Sequence, residues 1–129
     1  MLPPGSAVIA VLDDEPGFRQ ALSRLLKAHG LAVQTFGTAS EFLAATGGQA
    51  FACLLLDLHM PDVTGFDVLS DLKSRGQPVP VIMITGHDQL GSAATARELG
   101  AADYLLKPLD ESALLTALRH ASPGLLPAA

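Results

Sequence analysis

Two nearly unbroken apolar runs of strand length decide the fold: Phe51–Leu56 (FACLLL) and Val79–Ile84 (VPVIMI). Such runs predict β-strands that are buried on both faces, as in a parallel sheet covered by helices on either side. Pro80 stands near the start of the second run, where a strand tolerates a missing N–H group. Asp57 follows the first run and Thr85 follows the second. The two runs therefore predict the central strands of a parallel sheet, each ending at a polar residue.

The alternation of strand and helix extends outward from these two runs over most of the chain. Three further apolar runs predict strands at Ala7–Leu12, Leu31–Phe36 and Ala102–Leu106. Apolar residues at helical spacing predict a helix after each strand. The first helix begins at Pro16, the second at the capping signature Thr38–Glu41, the third near Gly65 and the fifth near Asp110, and the fourth lies around Gln89–Gly100. This alternation predicts an α/β fold, a doubly wound (βα)5 three-layer sandwich with right-handed crossovers.

The composition is that of a globular protein with a single domain. The 129 residues are 49% hydrophobic and 16% charged, and the formal net charge is −5, which is typical of one domain with its own core. Duplex binding requires a basic face, so we expect no direct nucleic acid contact. We expect the domain to span residues 7–121, with residues 1–6 and 122–129 as terminal segments or the stub of a linker.

Cysteine content and hydropathy indicate the cellular compartment in which the protein is expected. Cys53 is the only cysteine, so an intramolecular disulfide is excluded, and its apolar neighbours predict a small buried hydrophobe in a reducing environment. No signal peptide and no apolar run of membrane-spanning length is evident in the sequence. We therefore expect a cytoplasmic protein that makes no membrane contact.

Ionisable and hydroxyl residues follow four of the predicted strands. Asp13 and Asp14 follow the first strand, Asp57 the third, Thr85 the fourth and Lys107 the fifth. Ligands of an open parallel sheet bind outside the carboxyl ends of its strands, so we expect these side chains to converge at one edge. Crowded carboxylates repel one another. A divalent cation and the Lys107 ammonium would offset that repulsion.

The donor atoms indicate which cation and which chemistry to expect. Carboxylate oxygens favour Mg²⁺, which completes its octahedron with water and phosphate oxygens. They argue against zinc, although His59 and His87 near the same edge leave a softer metal open. A carboxylate is also a nucleophile toward phosphorus. Phosphoryl transfer requires positioning and neutralisation of the equatorial oxygens, which a cation, Lys107 and Thr85 would provide.

Motifs at these strand ends resemble the response-regulator receiver domain of two-component signalling. The matching stretches are Asp13–Asp14, Asp57–Gly65, Thr85–Gly86 and Tyr104–Pro108, in this order and at strand ends. The resemblance covers Val8 to Leu118. It implies a flavodoxin-like fold with the parallel strand order 2-1-3-4-5. It also implies a phosphorelay switch, whose only catalysis would be its own phosphorylation and slow dephosphorylation.

The resemblance implies a role for each acidic residue. Asp57 would be the phosphoacceptor. Asp14 and Asp57 would bind Mg²⁺ directly, together with the backbone carbonyl of His59, and Mn²⁺ is a possible substitute. Asp13 would act mostly through water.

The resemblance also implies roles around the acidic residues. Thr85 and Lys107 would contact phosphoryl oxygens, and Tyr104 would turn inward when Thr85 moves. His59 and His87 would line the approach to the site and affect the lifetime of the phosphoryl group.

The expected partners follow from the same resemblance. A sensor histidine kinase, a phosphotransfer protein or a small phosphodonor would supply the phosphoryl group. The fourth helix is rich in small residues, and with the fifth strand it is the natural bistable element. We expect phosphorylation to change the surface of the fourth helix, fifth strand and fifth helix, and so to favour homodimerisation or control an output domain. The local sequence is similar to receivers attached to transcription factors.

Other classes of protein fit the residues less well. A metal-dependent aspartyl-phosphate phosphatase or phosphotransferase usually has a second Asp where this chain has His59, and a cap insertion that is absent here. A flavodoxin-like electron carrier needs a phosphate loop where this chain has the acidic Asp13–Glu15. A receiver regulated without phosphorylation would not need the intact set of site residues. Structural roles also stay open, since Asp13 or Asp14 could cap the first helix and Tyr104 could be a plain core or edge aromatic.

Overall fold

A five-stranded parallel sheet, covered by helices on both faces, forms the centre of the molecule. The structure is a computed structural model that describes residues 7–126. The predicted terminal segment 1–6 and the last part of the predicted segment 122–129 lie outside the described residues. The elements are β1 (Val8–Leu12), α1 (Pro16–Ala28), β2 (Ala32–Phe36), α2 (Ala39–Thr46), β3 (Cys53–Asp57), α3 (Gly65–Ser74), β4 (Val81–Thr85), α4 (Ser92–Glu98), β5 (Asp103–Leu106) and α5 (Glu111–Ala121).

The strand order is β2-β1-β3-β4-β5, which confirms the expected flavodoxin-like topology. Every residue of β1, β3 and β4 is buried, because these strands are internal and both of their faces are covered. The edge strands β2 and β5 are partly exposed. Strands begin one or two residues later than predicted, although the residue just before a strand can still bond to its neighbour, as the Ala52 amide does to Val8 O at 2.8 Å. Asp57 and Thr85 are themselves the last paired residues of their strands, opposite Ile84 and Leu106.

Two apolar layers sandwich the sheet. One layer lies under α2, α3 and α4, where the rings of Phe36, Phe42 and Phe51 pack with centroids 5.5–5.9 Å apart. The other lies under α1 and α5 and includes Cys53, which is fully buried as predicted. Burial raises the pKa of the Cys53 thiol to about 12, so this residue packs as a hydrophobe. In α5, Leu114 is buried and the adjacent Leu115 is only half-buried.

Helix ends confirm some predictions and correct others. Pro16 opens α1 as predicted, but the N-cap residue is Glu15, without a side-chain hydrogen bond. The alternative that Asp13 or Asp14 caps this helix is therefore wrong. The Thr38 side chain accepts a hydrogen bond from the Glu41 amide, as its signature predicted. Within residues 7–126, no helix is long and apolar enough to cross a membrane.

The fourth helix is much shorter than its sequence indicated. It was predicted around Gln89–Gly100, but α4 spans only Ser92–Glu98. Gly91 adopts a left-handed conformation with φ of 85° immediately before the helix, which prevents the helix from starting earlier. The preceding residues therefore form an extended loop after β4, next to the carboxyl end of the sheet.

Candidate functional site

Most of the buried polar side chains of the described region lie at one edge of the sheet. Among residues 7–126, the polar residues classed as buried are Asp13, Asp57, Thr85 and Ser92. The first three end or follow β1, β3 and β4, at the carboxyl edge that the sequence predicted. Burial of carboxylates is costly unless hydrogen bonds or opposite charges compensate. The fold therefore concentrates its unfavourable polar burial at this one edge.

Three carboxylates meet at this edge. Oxygens of Asp13, Asp14 and Asp57 lie within 4.8 Å of one another, with Asp14 exposed at the entrance and the other two buried. Only oxygen donors are present in this cluster, and hard divalent cations prefer oxygen ligands. The residues present thus fit a hard divalent cation, in agreement with the prediction from the strand ends.

Lys107 neutralises part of this acidic cluster. Its Nζ donates a hydrogen bond to Asp13 Oδ2 at 2.8 Å and lies 3.8 Å from Asp57 Oδ1. Burial works to lower the pKa of the Lys107 ammonium, but the hydrogen bond to Asp13 and the acidic charges around it outweigh burial and raise that pKa. The ammonium also lies 4.1 Å from the centre of the Phe18 ring, a cation–π contact. Lys107 is therefore held as a cation beside the carboxylates.

The carboxyl group of Asp57 has a raised pKa. Burial first, and then the charge of Asp13, raise its pKa to about 7, against the lowering effect of Lys107. A carboxyl group that titrates near neutral pH is a common feature of functional sites. Without a bound cation, Asp57 is thus partly protonated at neutral pH, and a cation that stabilises its charge would restore the carboxylate.

The loop after Asp57 fixes the position of this residue. The Leu58 amide donates to Ile84 O at 2.9 Å, and the Gly65 amide donates to Leu58 O at 2.8 Å. A β-carbon at Gly65 would lie 2.9 Å from the carbonyl oxygen of Asp57 and 2.7 Å from Met83 Sδ. Only glycine allows the beginning of α3 to approach the end of β3 this closely.

A capping box holds the start of α3 in place. The Thr64 side chain accepts from the Asp67 amide, and the Asp67 side chain accepts from the Thr64 amide at 3.0 Å. This box was not predicted from the sequence, although the spacing of Thr64 and Asp67 is a recognisable signal.

Thr85 and Tyr104 lie beside the acidic cluster rather than within it. Thr85 is fully buried, and its Oγ1 accepts a hydrogen bond from the His87 amide at 3.0 Å. The Tyr104 hydroxyl donates to Asp88 Oδ1 at 2.9 Å. Burial, and then the bond to Asp88, raise the pKa of Tyr104. Tyr104 thus connects β5 to the loop after β4, a contact that a plain core aromatic would not make.

His59 and His87 occupy the flanking positions that the sequence indicated. Their rings pack edge to face, with centroids 6.0 Å apart, and His59 Nε2 lies 3.3 Å from the backbone oxygen of His87. The His59 amide is 3.4 Å from Asp57 Oδ1, a long hydrogen bond. The two imidazoles therefore connect the loops after β3 and β4 at the edge of the site.

Two residues of α1 contact the site and were missed by the sequence analysis. The ring of Phe18 lies under the Lys107 ammonium. Arg19 donates from Nη1 to the backbone oxygen of Asp13 at 2.7 Å. A basic residue on the first turn of a helix is usually a solvated residue, so the sequence gives no signal for this contact.

Comparisons with known proteins identify the class to which this site belongs. Residues 9–119 match the family described as the response regulator receiver domain. The chain belongs to this family. The resemblance found in the sequence is thereby confirmed.

The chain is similar to curated response regulators. It is 41% identical over 116 residues to the response regulator protein TodT of Pseudomonas putida, covering 90% of this chain and 51% of TodT. It is 39% identical over 116 residues to the transcriptional regulatory protein FixJ of Azorhizobium caulinodans, covering 90% of this chain and 55% of FixJ. The chain thus spans about half the length of the curated relatives it matches.

Solved structures show the same fold. The crystal structure of FixJ-N has a TM-score of 0.85 at 32% identity and covers 95% of this chain and 98% of that one. The chemotaxis protein CheY4 of Vibrio cholerae has a TM-score of 0.82 at 27% identity and covers 89% and 98%. Receiver domains are phosphorelay switches of two-component systems that histidine kinases phosphorylate, and they are signalling switches rather than classical enzymes. The alternative of a metal-dependent phosphatase is therefore not favoured.

Proposed function

We propose that Asp57 is the phosphoacceptor of this receiver domain. The observation that carries the proposal is the placement of Asp57 at the end of the central strand β3, where it is a buried member of the acidic cluster and its Oδ1 lies 3.8 Å from Lys107 Nζ. A carboxylate oxygen of Asp57 attacks the phosphorus of a phosphohistidine, or of a small phosphodonor, and forms a new O–P bond. The bond from phosphorus to the donor breaks, and the leaving group takes its electron pair and then a proton.

The acidic cluster is proposed to hold Mg²⁺, with Mn²⁺ as a possible substitute. Asp14 and Asp57 would bind the ion directly with the backbone carbonyl of His59, and Asp13 would act through water. When bound, Mg²⁺ neutralises the carboxylates and the phosphoryl oxygens. The oxygen-only cluster within 4.8 Å supports this assignment.

Lys107 and Thr85 are proposed to bind the phosphoryl oxygens. Lys107 Nζ is already 3.8 Å from Asp57 Oδ1, so a short movement away from Asp13 would bring it to a phosphoryl oxygen. The Thr85 hydroxyl accepts from the His87 amide, and its own proton is available to donate to a second oxygen. Movement of Thr85 would carry the loop after β4 with it.

The output surface is proposed to be the face of α4, β5 and α5. The large apolar side chains exposed in the described region, Leu90 and Leu106, both lie at the edge of this face. Phosphorylation would change this face and favour homodimerisation or control an output domain. The relatives include a transcriptional regulatory protein of which the match covers about half, which supports a role in transcription regulation. The switch unit, proposed as residues 7–121, would itself make no nucleic acid contact and would act in the cytoplasm.

A phosphorylation assay tests the proposed function. The full chain is incubated with Mg²⁺ and acetyl phosphate, and an acid-stable, base-labile acyl phosphate is measured by intact mass spectrometry. We expect label on the wild type, none on Asp57→Asn, and normal label on Asp62→Asn, which removes the same charge from an exposed loop position. Label on Asp57→Asn, or none on the wild type, would contradict the proposal.

A further inference from the structure

Arg19 holds the backbone of the acidic loop after β1. Its Nη1 donates to the carbonyl oxygen of Asp13 at 2.7 Å, which is short for such a bond. Arg19 is half-buried, so its guanidinium is partly shielded from water. The hydrogen bond joins the first turn of α1 to the residue where the chain leaves the sheet. Arg19 therefore restrains Asp13 through its main chain, independently of the carboxylate.

The guanidinium is fixed from a second direction. A β-carbon at Gly37 would lie 3.1 Å from Arg19 Nη1 and 3.3 Å from Cζ. The planar group thus lies directly against the backbone after β2. The Asp13 amide donates to Phe36 O at 3.2 Å, one residue before Gly37. Arg19, Asp13 and the end of β2 consequently form one packed unit.

The restrained backbone is the part of the loop that carries the acidic ligands. The Asp13 side chain accepts from the Glu15 amide at 2.9 Å and from Lys107 at 2.8 Å. Asp14 lies in the chain between Asp13 and Glu15, which are joined by this first bond, and it is exposed at the entrance of the cluster. Any movement of the Asp13 carbonyl would shift the carboxylates of Asp13 and Asp14 relative to Asp57.

We propose that Arg19 is a positioning residue for the divalent cation, acting through the Asp13 carbonyl to hold the carboxylates of Asp13 and Asp14 toward Asp57. The inference rests on the proposed cation site and adds a residue that does not touch the ion. Outer partners that orient metal ligands commonly change metal affinity by about 10–100-fold when they are removed.

The direction in which loss of Arg19 changes the Mg²⁺ affinity separates a positioning role from a purely electrostatic one. Arg19 is a cation near a site for cations, so loss of its charge alone would strengthen Mg²⁺ binding. Loss of its hydrogen bond to Asp13 weakens binding, because the carboxylates are no longer held in place. A purely structural role would lower the stability of the fold without changing the affinity of the folded protein.

The test measures Mg²⁺ affinity of the full chain by isothermal titration calorimetry at fixed pH and ionic strength. We expect Arg19→Met to weaken binding about tenfold and Arg19→Lys to be intermediate, since lysine keeps the charge but not the planar fork. Arg24→Met is the matched control, because it removes the same charge from an exposed position of the same helix. We expect it to leave the affinity unchanged or slightly stronger.

A second variant and a second measurement keep the test independent of folding and charge. Gly37→Ala adds one methyl group against the Arg19 guanidinium, and we expect a smaller weakening of Mg²⁺ binding without any change in charge. Hydrogen exchange of the Glu15 amide, in the absence of Mg²⁺, should accelerate in Arg19→Met and remain normal in Arg24→Met.

The outcomes distinguish the inference from the proposed function. Unchanged or stronger Mg²⁺ binding by folded Arg19→Met overturns the role of Arg19. If Arg19→Met does not fold, unchanged affinity and unchanged Glu15 exchange in Gly37→Ala overturn it instead. If the wild type binds Mg²⁺ no better than Asp57→Asn, the proposed cation site itself is wrong.

Discussion

The ammonium of Lys107 is bound to the carboxylate of Asp13 at 2.8 Å, and the nearest oxygen of Asp57 lies 3.8 Å from it. Lys107 is therefore paired mainly with a neighbour of Asp57. Asp57 keeps the cost of its burial and the repulsion from Asp13, and its pKa rises to about 7. Neither the cost of burying Asp57 nor its repulsion from Asp13 is fully offset within the protein. We therefore expect a bound cation to reduce both.

This imbalance predicts how stability depends on pH. The pKa of Asp57 is about 7 in the folded protein against an ordinary value of 3.8, so the folded state binds more protons between these values. The unfolding free energy contributed by Asp57 is present below pH 4 and is lost as pH rises through 7. We expect Asp57→Asn to be more stable than the wild type at pH 8, by up to about 4 kcal/mol, and equally stable at pH 4. Urea denaturation without Mg²⁺ at both values measures this.

Two controls accompany that measurement. Asp62→Asn removes a charge from an exposed loop position and should change stability little at either pH. Addition of Mg²⁺ at pH 8 should stabilise the wild type and not Asp57→Asn. Equal stability of Asp57→Asn and the wild type at pH 8 would show that Asp57 is not strained in the free protein.

The close packing at Gly65 predicts that a substitution there lowers the stability of the fold and slows phosphorylation at the site. A methyl group there meets Met83 Sδ at 2.7 Å and the carbonyl oxygen of Asp57 at 2.9 Å, so α3 must move away from β3. We expect Gly65→Ala to destabilise the protein by about 1–3 kcal/mol and to slow phosphorylation by acetyl phosphate.

Gly17→Ala is the control for the Gly65 substitution. Gly17 lies in α1, and a β-carbon there meets nothing within 4 Å. Alanine should therefore stabilise the helix by up to about 1 kcal/mol. If the two substitutions change the thermal unfolding midpoint to a similar extent, the close approach at Gly65 is not the cause of the destabilisation.

The acidic cluster could be predicted from the sequence because the order and direction of the strands determine which residues meet. Once β1, β3 and β4 are recognised as parallel strands, Asp13, Asp57 and Thr85 must meet at one edge. Local signals also predicted the cap of α2 correctly. The sequence could not show the contact of Arg19 with Asp13, because it depends on the angle at which α1 packs on the sheet. The length of α4 was wrong because the left-handed conformation of Gly91 is not visible in an apolar pattern.

The position of His87 predicts that its substitution changes the lifetime of the phosphoryl group. Its ring packs against that of His59, 6.0 Å between centroids, at the edge of the site. We expect removal of the ring to open the approach of water to Asp57. We expect His87→Ala to shorten the lifetime of the acyl phosphate several-fold, measured as the decay of phosphorylated protein after removal of the phosphodonor.

His120 provides the control for His87. It lies exposed in the last turn of α5, and His120→Ala should leave the decay rate unchanged. An unchanged decay rate in His87→Ala would exclude His87 from control of the lifetime.

The hydrogen bond between Tyr104 and Asp88 predicts a shift in the switching equilibrium. The Tyr104 hydroxyl donates to Asp88 Oδ1 at 2.9 Å, which holds the ring toward the loop after β4 and would oppose the inward turn that the resemblance implies. Loss of one hydrogen bond of about 1 kcal/mol corresponds to about a fivefold change in population. We therefore expect Tyr104→Phe to reach half of its conformational response at about fivefold less beryllium trifluoride, a phosphoryl analogue, as followed by NMR of the α4 amides. Asp88→Asn keeps an oxygen acceptor and should show a smaller shift. If Tyr104→Phe responds at the same analogue concentration as the wild type, the bond to Asp88 does not restrain the switch.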